Sequence, residues 1–158
     1  MRLLGRFCPP ESEGPCVLVP ATFDLFHVGH AEVLEAASRL GLRVVAGVVD
    51  DADAVVPLAQ RAIAVASCKW VDGVVVGLSP VVSAMEVEDF EVAAVAAHAF
   101  DPQRELGAAP QRAGRTVELH VEHAYLTRDE ILRRMRASPA QYAKRNQACR
   151  ARPGAPKW

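Results

Sequence analysis

Aromatic side chains are scarce in this chain, 6% of 158 residues, although 51% of the residues are hydrophobic. A core made mostly of Ala, Val and Leu suits a parallel sheet covered by helices better than an aromatic-rich sandwich. Charge excess is also missing. The net charge of −1 gives no overall field toward nucleic acid or anionic lipid, so neither is expected as a partner. There is no C-x-x-C pair: Cys8, Cys16, Cys68 and Cys149 are scattered, as in a protein of the reducing cytoplasm, which is the expected location. No apolar run approaches the ~20 residues that span a bilayer, so no membrane insertion is expected. The start, Met1 to Arg6, has too short an apolar stretch for a secretion signal. An amphipathic transit segment stays open, because the first acidic residue is Glu11. Also absent are internal repeats and a His-Glu-x-x-His arrangement, so no metal ligand set is expected from the protein itself. The length fits one domain of common size with a real core.

What is present is an alternation of apolar runs and helical stripes. Residues 1–15 end in Pro9-Pro10-Glu11-Ser12-Glu13-Gly14-Pro15 and read as a linker. Cys16–Val19 reads as a strand and Ala31–Leu40 as a helix, with apolar positions at 33, 34, 37 and 40 and Gly41 as its stop. Arg43–Val49 is a second strand, closed by the acidic Asp50–Asp53. A helix over Leu58–Cys68, a strand over Gly73–Gly77, a helix over Val82–Phe90 and a strand over Ala93–Ala97 follow. A loop from Asp101 to Gly114, a strand over Thr116–Val121 and a helix over Thr127–Arg136 complete a domain over residues 16–137. Residues 138–158 read as a short helix and flexible tail. The expected fold is α/β, a Rossmann-like, mostly parallel five-stranded sheet flanked by helices. Ligands in such sheets bind at the carboxyl ends of the strands.

The 19-to-30 junction lies at that edge and carries Thr22-Phe23-Asp24-Leu25-Phe26-His27-Val28-Gly29-His30. Two histidines three apart, with a glycine between, sit where a strand hands over to a helix. A helix N-terminus has unpaired N–H groups and partial positive charge, which favour an anion. Imidazoles there can donate to phosphate oxygens as charge builds up in a transition state. Two histidines without their context read first as core residues; the Phe-Asp-Leu-Phe before them and the helix after them favour the site. Thr127, followed by Asp129 and Glu130, also reads as a helix N-cap. His98 also reads as structural, and His120 and His123 as surface residues around a strand end.

Thr22–His30 resembles the signature of the cytidylyltransferases, Gly-x-Phe-Asp-Leu-Phe-His-x-Gly-His. Arg61 to Val75, with its Cys68-Lys69-Trp70-Val71-Asp72 run, is similar to the family's later helix and strand. Leu126 to Met135 resembles the second signature, a hydroxyl-rich turn leading into a helix. Ala140 to Asn146 resembles the end of the carboxyl-terminal catalytic-type domain of the ethanolamine-phosphate members. The likeness covers about residues 16–147.

The resemblance implies transfer of CMP from CTP to phosphoethanolamine, giving CDP-ethanolamine and pyrophosphate in phospholipid biosynthesis, with Mg²⁺ accompanying the CTP. It implies catalytic roles for His27, His30 and Thr127. Nucleotide contacts would come from Ala21, Thr22, Phe23, Gly29, His98, Ala99, Phe100, Asp101, Tyr125, Leu126 and Arg128. Asp24 would meet the substrate's ammonium group. Trp70 and Asp72 fall in a segment that packs at the family's dimer contact, so a homodimer, or pairing with a second such domain, is expected. The chain also departs from the pattern. Ala21 and Ala99 replace glycines, Pro80 stands where the family often has an aromatic residue, and of the hydroxyl run only Thr127 remains. The loop before Arg61 lacks the family's lysine; Arg61, Arg112 and Arg128 are the candidate replacements. These departures keep two alternatives open. One is a degenerate domain with a structural or regulatory role; the other is a transferase for phosphocholine or glycerol-3-phosphate.

Overall fold

The computed structural model describes residues 5–7, 14–79, 81–83, 87–88, 91–98, 110 and 112–150. The chain divides into two compact units, 1–126 and 127–158, a boundary that falls inside the expected domain 16–137.

Among the described residues the first unit holds a six-stranded sheet of β1 (Gly5–Phe7), β2 (Cys16–Ala21), β3 (Arg43–Val49), β4 (Gly73–Leu78), β5 (Val92–His98) and β6 (Thr116–Leu119). Their spatial order is β1-β4-β3-β2-β5-β6. The pairs β2–β3, β3–β4, β2–β5 and β5–β6 are all parallel. The five parallel strands therefore follow the 3-2-1-4-5 order of a doubly wound Rossmann-like sheet, in which the chain reverses its winding between β2 and β5. The sixth strand corrects the reading of residues 1–15 as linker: Gly5–Phe7 pairs antiparallel with the outer edge of β4. Three residues show no period, and their strand exists because β4 offers an unpaired edge.

Period-2 side chains divide the core between the two sheet faces. Val17, Val19 and Ala21 of β2 face one layer with Val44, Ala46 and Val48 of β3. Against them pack Val33, Leu34 and Ala37 of α1 (Val28–Ser38) and Val65 of α2 (Leu58–Ala66). Cys16, Leu18, Val45, Val49, Val75, Leu78 and Val95 face the other layer. Burial on both faces explains why these strands read as continuous apolar runs. Helix α1 starts at Val28, earlier than the expected Ala31, and ends at Ser38, so Leu40 lies beyond its apolar stripe. The third expected helix, over Val82–Phe90, lies largely outside the described residues. Asp72 is a structural residue, its Oδ2 accepting the Val44 N–H at 2.8 Å to fix the start of β3. Trp70 packs against the core, with Lys69 Nζ 4.2 Å over its ring.

The second unit holds α3 (Arg128–Ala137) and α4 (Pro139–Arg150). Thr127 caps α3: its hydroxyl oxygen accepts the Glu130 N–H at 3.2 Å. Glu130 pairs with Arg133 and Arg134. Hydrogen bonds from those two guanidinium groups pull the Glu130 carboxyl down to about 2.

Candidate active site

β2 and β5 part company toward their carboxyl ends. Pairing of β2 with β5 stops at Leu18↔Val95, whereas pairing with β3 continues to Ala21↔Val48. Pro20, which has no N–H to donate, stands past the point where β5 has left. A crevice at this reversal of winding is where a doubly wound sheet holds its ligand. His98, at the end of β5, reaches across it and donates from Nε2 to the Pro20 carbonyl at 3.2 Å.

The turn from β2 into α1 is strained. Phe23 and Leu25 have positive φ, 50° and 47°, a region that side chains other than glycine seldom occupy. Asp24 between them is 1% exposed. Its Oδ1 accepts the N–H of Leu25 at 3.0 Å and of Val56 at 2.9 Å, and its Oδ2 that of Val55 at 2.8 Å. Both oxygens therefore hold backbone, which corrects the assignment of Asp24 to a substrate ammonium group. Arg61 answers from the other side. It is 2% exposed and donates to the carbonyls of Val56 at 2.8 Å, Thr22 at 2.6 Å and Val49 at 2.8 Å. Burial lowers its pKa, with Asp24, Asp51 and Asp50 opposing. A guanidinium so engaged is a brace for the 50–57 loop rather than the sought replacement for a phosphate-binding lysine.

His27 and His30 occupy the N-cap and third positions of α1. His30 Nδ1 accepts the His27 N–H at 3.4 Å, so the neutral ring carries its proton on Nε2. The His30 ring lies 3.9 Å from that of His27, 5.6 Å from Phe26 and 5.2 Å from Phe23, centroid to centroid. Burial, then the neighbouring charges of His27 and His98, pushes the His30 pKa well below its ordinary value. Burial lowers that of His27 as well. The pair is thus set as neutral hydrogen-bond donors at the positive end of a helix.

The structure brings together Thr22, Gly29, His27, His30 and His98 at this edge. The Phe23 ring and the Ala21 methyl are buried in the core, so a nucleotide contact from these two residues would come from their backbone. Ala99, Phe100 and Asp101 lie outside the described residues, as does Pro80. Tyr125 is 62% exposed, and the Leu126 N–H donates to the His123 carbonyl at 2.9 Å. Thr127 and Arg128 belong to the second unit, where Arg128 pairs with Asp129 at 3.3 Å.

Two residues that sequence reasoning passed over stand beside the site. His123, expected at the surface, is half-buried; its N–H donates to Glu32 Oε2 at 3.0 Å and its Nδ1 pairs with Glu32 Oε1. Glu32 had one legible sign, its place on the Gly29 side of α1; His123 had none. Gly29 explains itself by close approach. A Cβ there would lie 3.1 Å from Cε1 of the His27 ring and 3.2 Å from the His123 carbonyl oxygen. Gly29→Ala is expected to lower stability by about 1–3 kcal/mol, the cost of overpacking, although alanine has the better helix propensity. A urea melt checks this; a variant as stable as the wild type would show that the wall behind Gly29 yields.

Mg²⁺ prefers oxygen ligands. Among the described residues, Glu32, Glu122 and His123 are the group whose ligand atoms come within 4.8 Å of one another. Both Glu32 oxygens there already face His123 donors, and His27 and His30 offer only imidazole. These residues suit a phosphate group better than a divalent cation. No helix among the described residues is long and apolar enough to cross a membrane.

The cytidylyltransferase-like family model matches residues 18–134, across the division between the two units. An ethanolamine-phosphate cytidylyltransferase of Dictyostelium discoideum is 30% identical over 152 residues, covering 87% of this chain and 42% of that protein. One of Arabidopsis thaliana is 28% identical over 106 residues, covering 60% and 25%. One of Mus musculus is 28% identical over 158 residues, covering 87% and 38%. The chain thus spans about two fifths, or less, of the length of these relatives. The chain belongs to the cytidylyltransferase-like family.

Proposed function

We propose that this chain is a cytidylyltransferase domain that transfers CMP from CTP to phosphoethanolamine. A phosphate oxygen of phosphoethanolamine attacks the α-phosphorus in line, the bond to the bridging β-phosphate oxygen breaks, and pyrophosphate leaves with that electron pair. The enzyme needs no covalent intermediate; its contribution is positioning and charge stabilisation. The observation that carries the reading is the place of His30 in the first turn of α1, its Nδ1 facing the His27 N–H and its ring clamped by Phe23, Phe26 and His27. His27 and His30 would donate to the triphosphate as charge accumulates, alongside the first-turn N–H groups of α1. Thr22 and His98 would border the nucleotide. Thr127 and Arg128 would contribute a hydroxyl and a cation, as the family resemblance implies. Mg²⁺ would neutralise the triphosphate that brings it. The head-group assignment rests on the likeness to the ethanolamine-phosphate cytidylyltransferases, and phosphocholine and glycerol-3-phosphate are its competitors. Pairing with a second such domain, as a homodimer or otherwise, belongs to the same proposal, as does work in the cytoplasm.

A second reading has its own support. Residues 50–57 contain three aspartates and no lysine, and Arg61 is committed to backbone carbonyls. A triphosphate would find no cation on this loop, as in a domain kept for structure or regulation. Titration calorimetry of Mg·CTP separates the two. On the transferase reading the wild type binds, and the His27→Ala/His30→Ala variant loses at least tenfold in affinity. No heat at millimolar nucleotide, from folded protein, leaves the non-catalytic reading.

A further inference from the structure

We propose that Glu32 and His123 are positioning residues for His27, acting through the backbone packed on Gly29. The inference rests on the His27 role proposed above. Glu32 lies on α1 beyond the histidines, and His123 lies 91 residues along the chain, in the turn that follows β6. One carboxylate holds that turn at two points, accepting the backbone N–H on Oε2 and the ring Nδ1 on Oε1. The same turn is closed by the Leu126 N–H on the His123 carbonyl, 2.9 Å. That carbonyl is the atom a Cβ on Gly29 would meet at 3.2 Å, and the His27 ring is the other. Ring and carbonyl therefore share the open face of one glycine. The Glu32–His123 tie sets where the carbonyl lies, and the carbonyl leaves the His27 ring one orientation against α1.

The tie is a clamp rather than a metal site: both Glu32 oxygens are turned to N–H donors, and the nearby Glu122 is exposed. The donated N–H of His123 is also the largest cause holding the Glu32 carboxyl below its ordinary value. Glu35, three residues on, provides the control. It pairs with Arg39 on the exposed side of the same helix, at 3.0 Å.

The test compares Glu32→Ala, Glu32→Gln, His123→Ala and Glu35→Ala by ¹⁵N correlation of the histidine rings and by Mg·CTP titration. Glutamine can accept the His123 N–H and donate to its ring, so it should restore the clamp. Expected are shifted His27 ring signals and about tenfold weaker Mg·CTP binding in Glu32→Ala, a smaller shift in His123→Ala, near wild-type behaviour in Glu32→Gln, and no change in Glu35→Ala. His27 signals unmoved in Glu32→Ala and His123→Ala, or moved equally in Glu35→Ala, would overturn the proposal. A wild type that binds no Mg·CTP would sink the transferase reading, while the ring signals still decide the clamp. If Glu32→Ala does not fold, Glu32→Gln and His123→Ala carry the comparison.

Discussion

Arg61→Leu is expected to lower the stability of the protein by about 3–5 kcal/mol, the scale of removing one partner from a buried charged network. Three carbonyls lose their donor at once: Thr22 in the β2–α1 turn, Val49 at the end of β3, and Val56 before α2. A buried acceptor left unpaired costs about 1–3 kcal/mol, less where water replaces the donor. Asp24, itself buried, loses the neighbouring cation while still holding Val55 and Val56. Since about 1 kcal/mol moves the melting point of a domain this size by about 2–4 °C, a drop near 10 °C is expected. Arg61→Lys should fall between, because an ammonium cannot match the guanidinium fork. Thermal and urea melts give the answer. A different pattern would restore Arg61 as a phosphate ligand: unchanged stability with weakened Mg·CTP binding.

The second large effect concerns His30. In a turnover assay with CTP and phosphoethanolamine, His30→Phe is expected to lower kcat/KM by about 10²–10³, the usual cost of deleting one preorganised donor to a developing oxyanion. Phenylalanine keeps a ring between Phe23 and Phe26, where His30 is 4% exposed, so packing is conserved while both ring nitrogens go. The loss at Nδ1 frees the His27 N–H, one of the donors a helix start leaves orphaned. A kcat/KM within threefold of wild type would remove His30 from the chemistry and leave it as a helix cap.

Much of the fold was legible because its signals are local. β2, β3, β4 and β5 are buried on both faces, and continuous apolar runs report that burial directly. Thr127 is legible for the same reason: capping is a contact over three residues. β1 was hidden because its partner is far along the chain. The start of α1 is not legible because its N-cap is a histidine rather than the usual Ser or Asp.

The sequence by itself determined the alternation of strands and helices, the position of the His-Val-Gly-His turn at a strand end, and the family likeness. Each is written in period, spacing or residue type, which no distant contact can change. Only the tertiary structure decided what Asp24, Arg61, Glu32 and His123 do. A carboxylate or a guanidinium carries the same charge whether it meets a ligand or a backbone amide. Which of the two it meets depends on segments 31 to 91 residues away for Asp24 and the Glu32–His123 pair. For Arg61 it depends on the Thr22 carbonyl, 39 residues back.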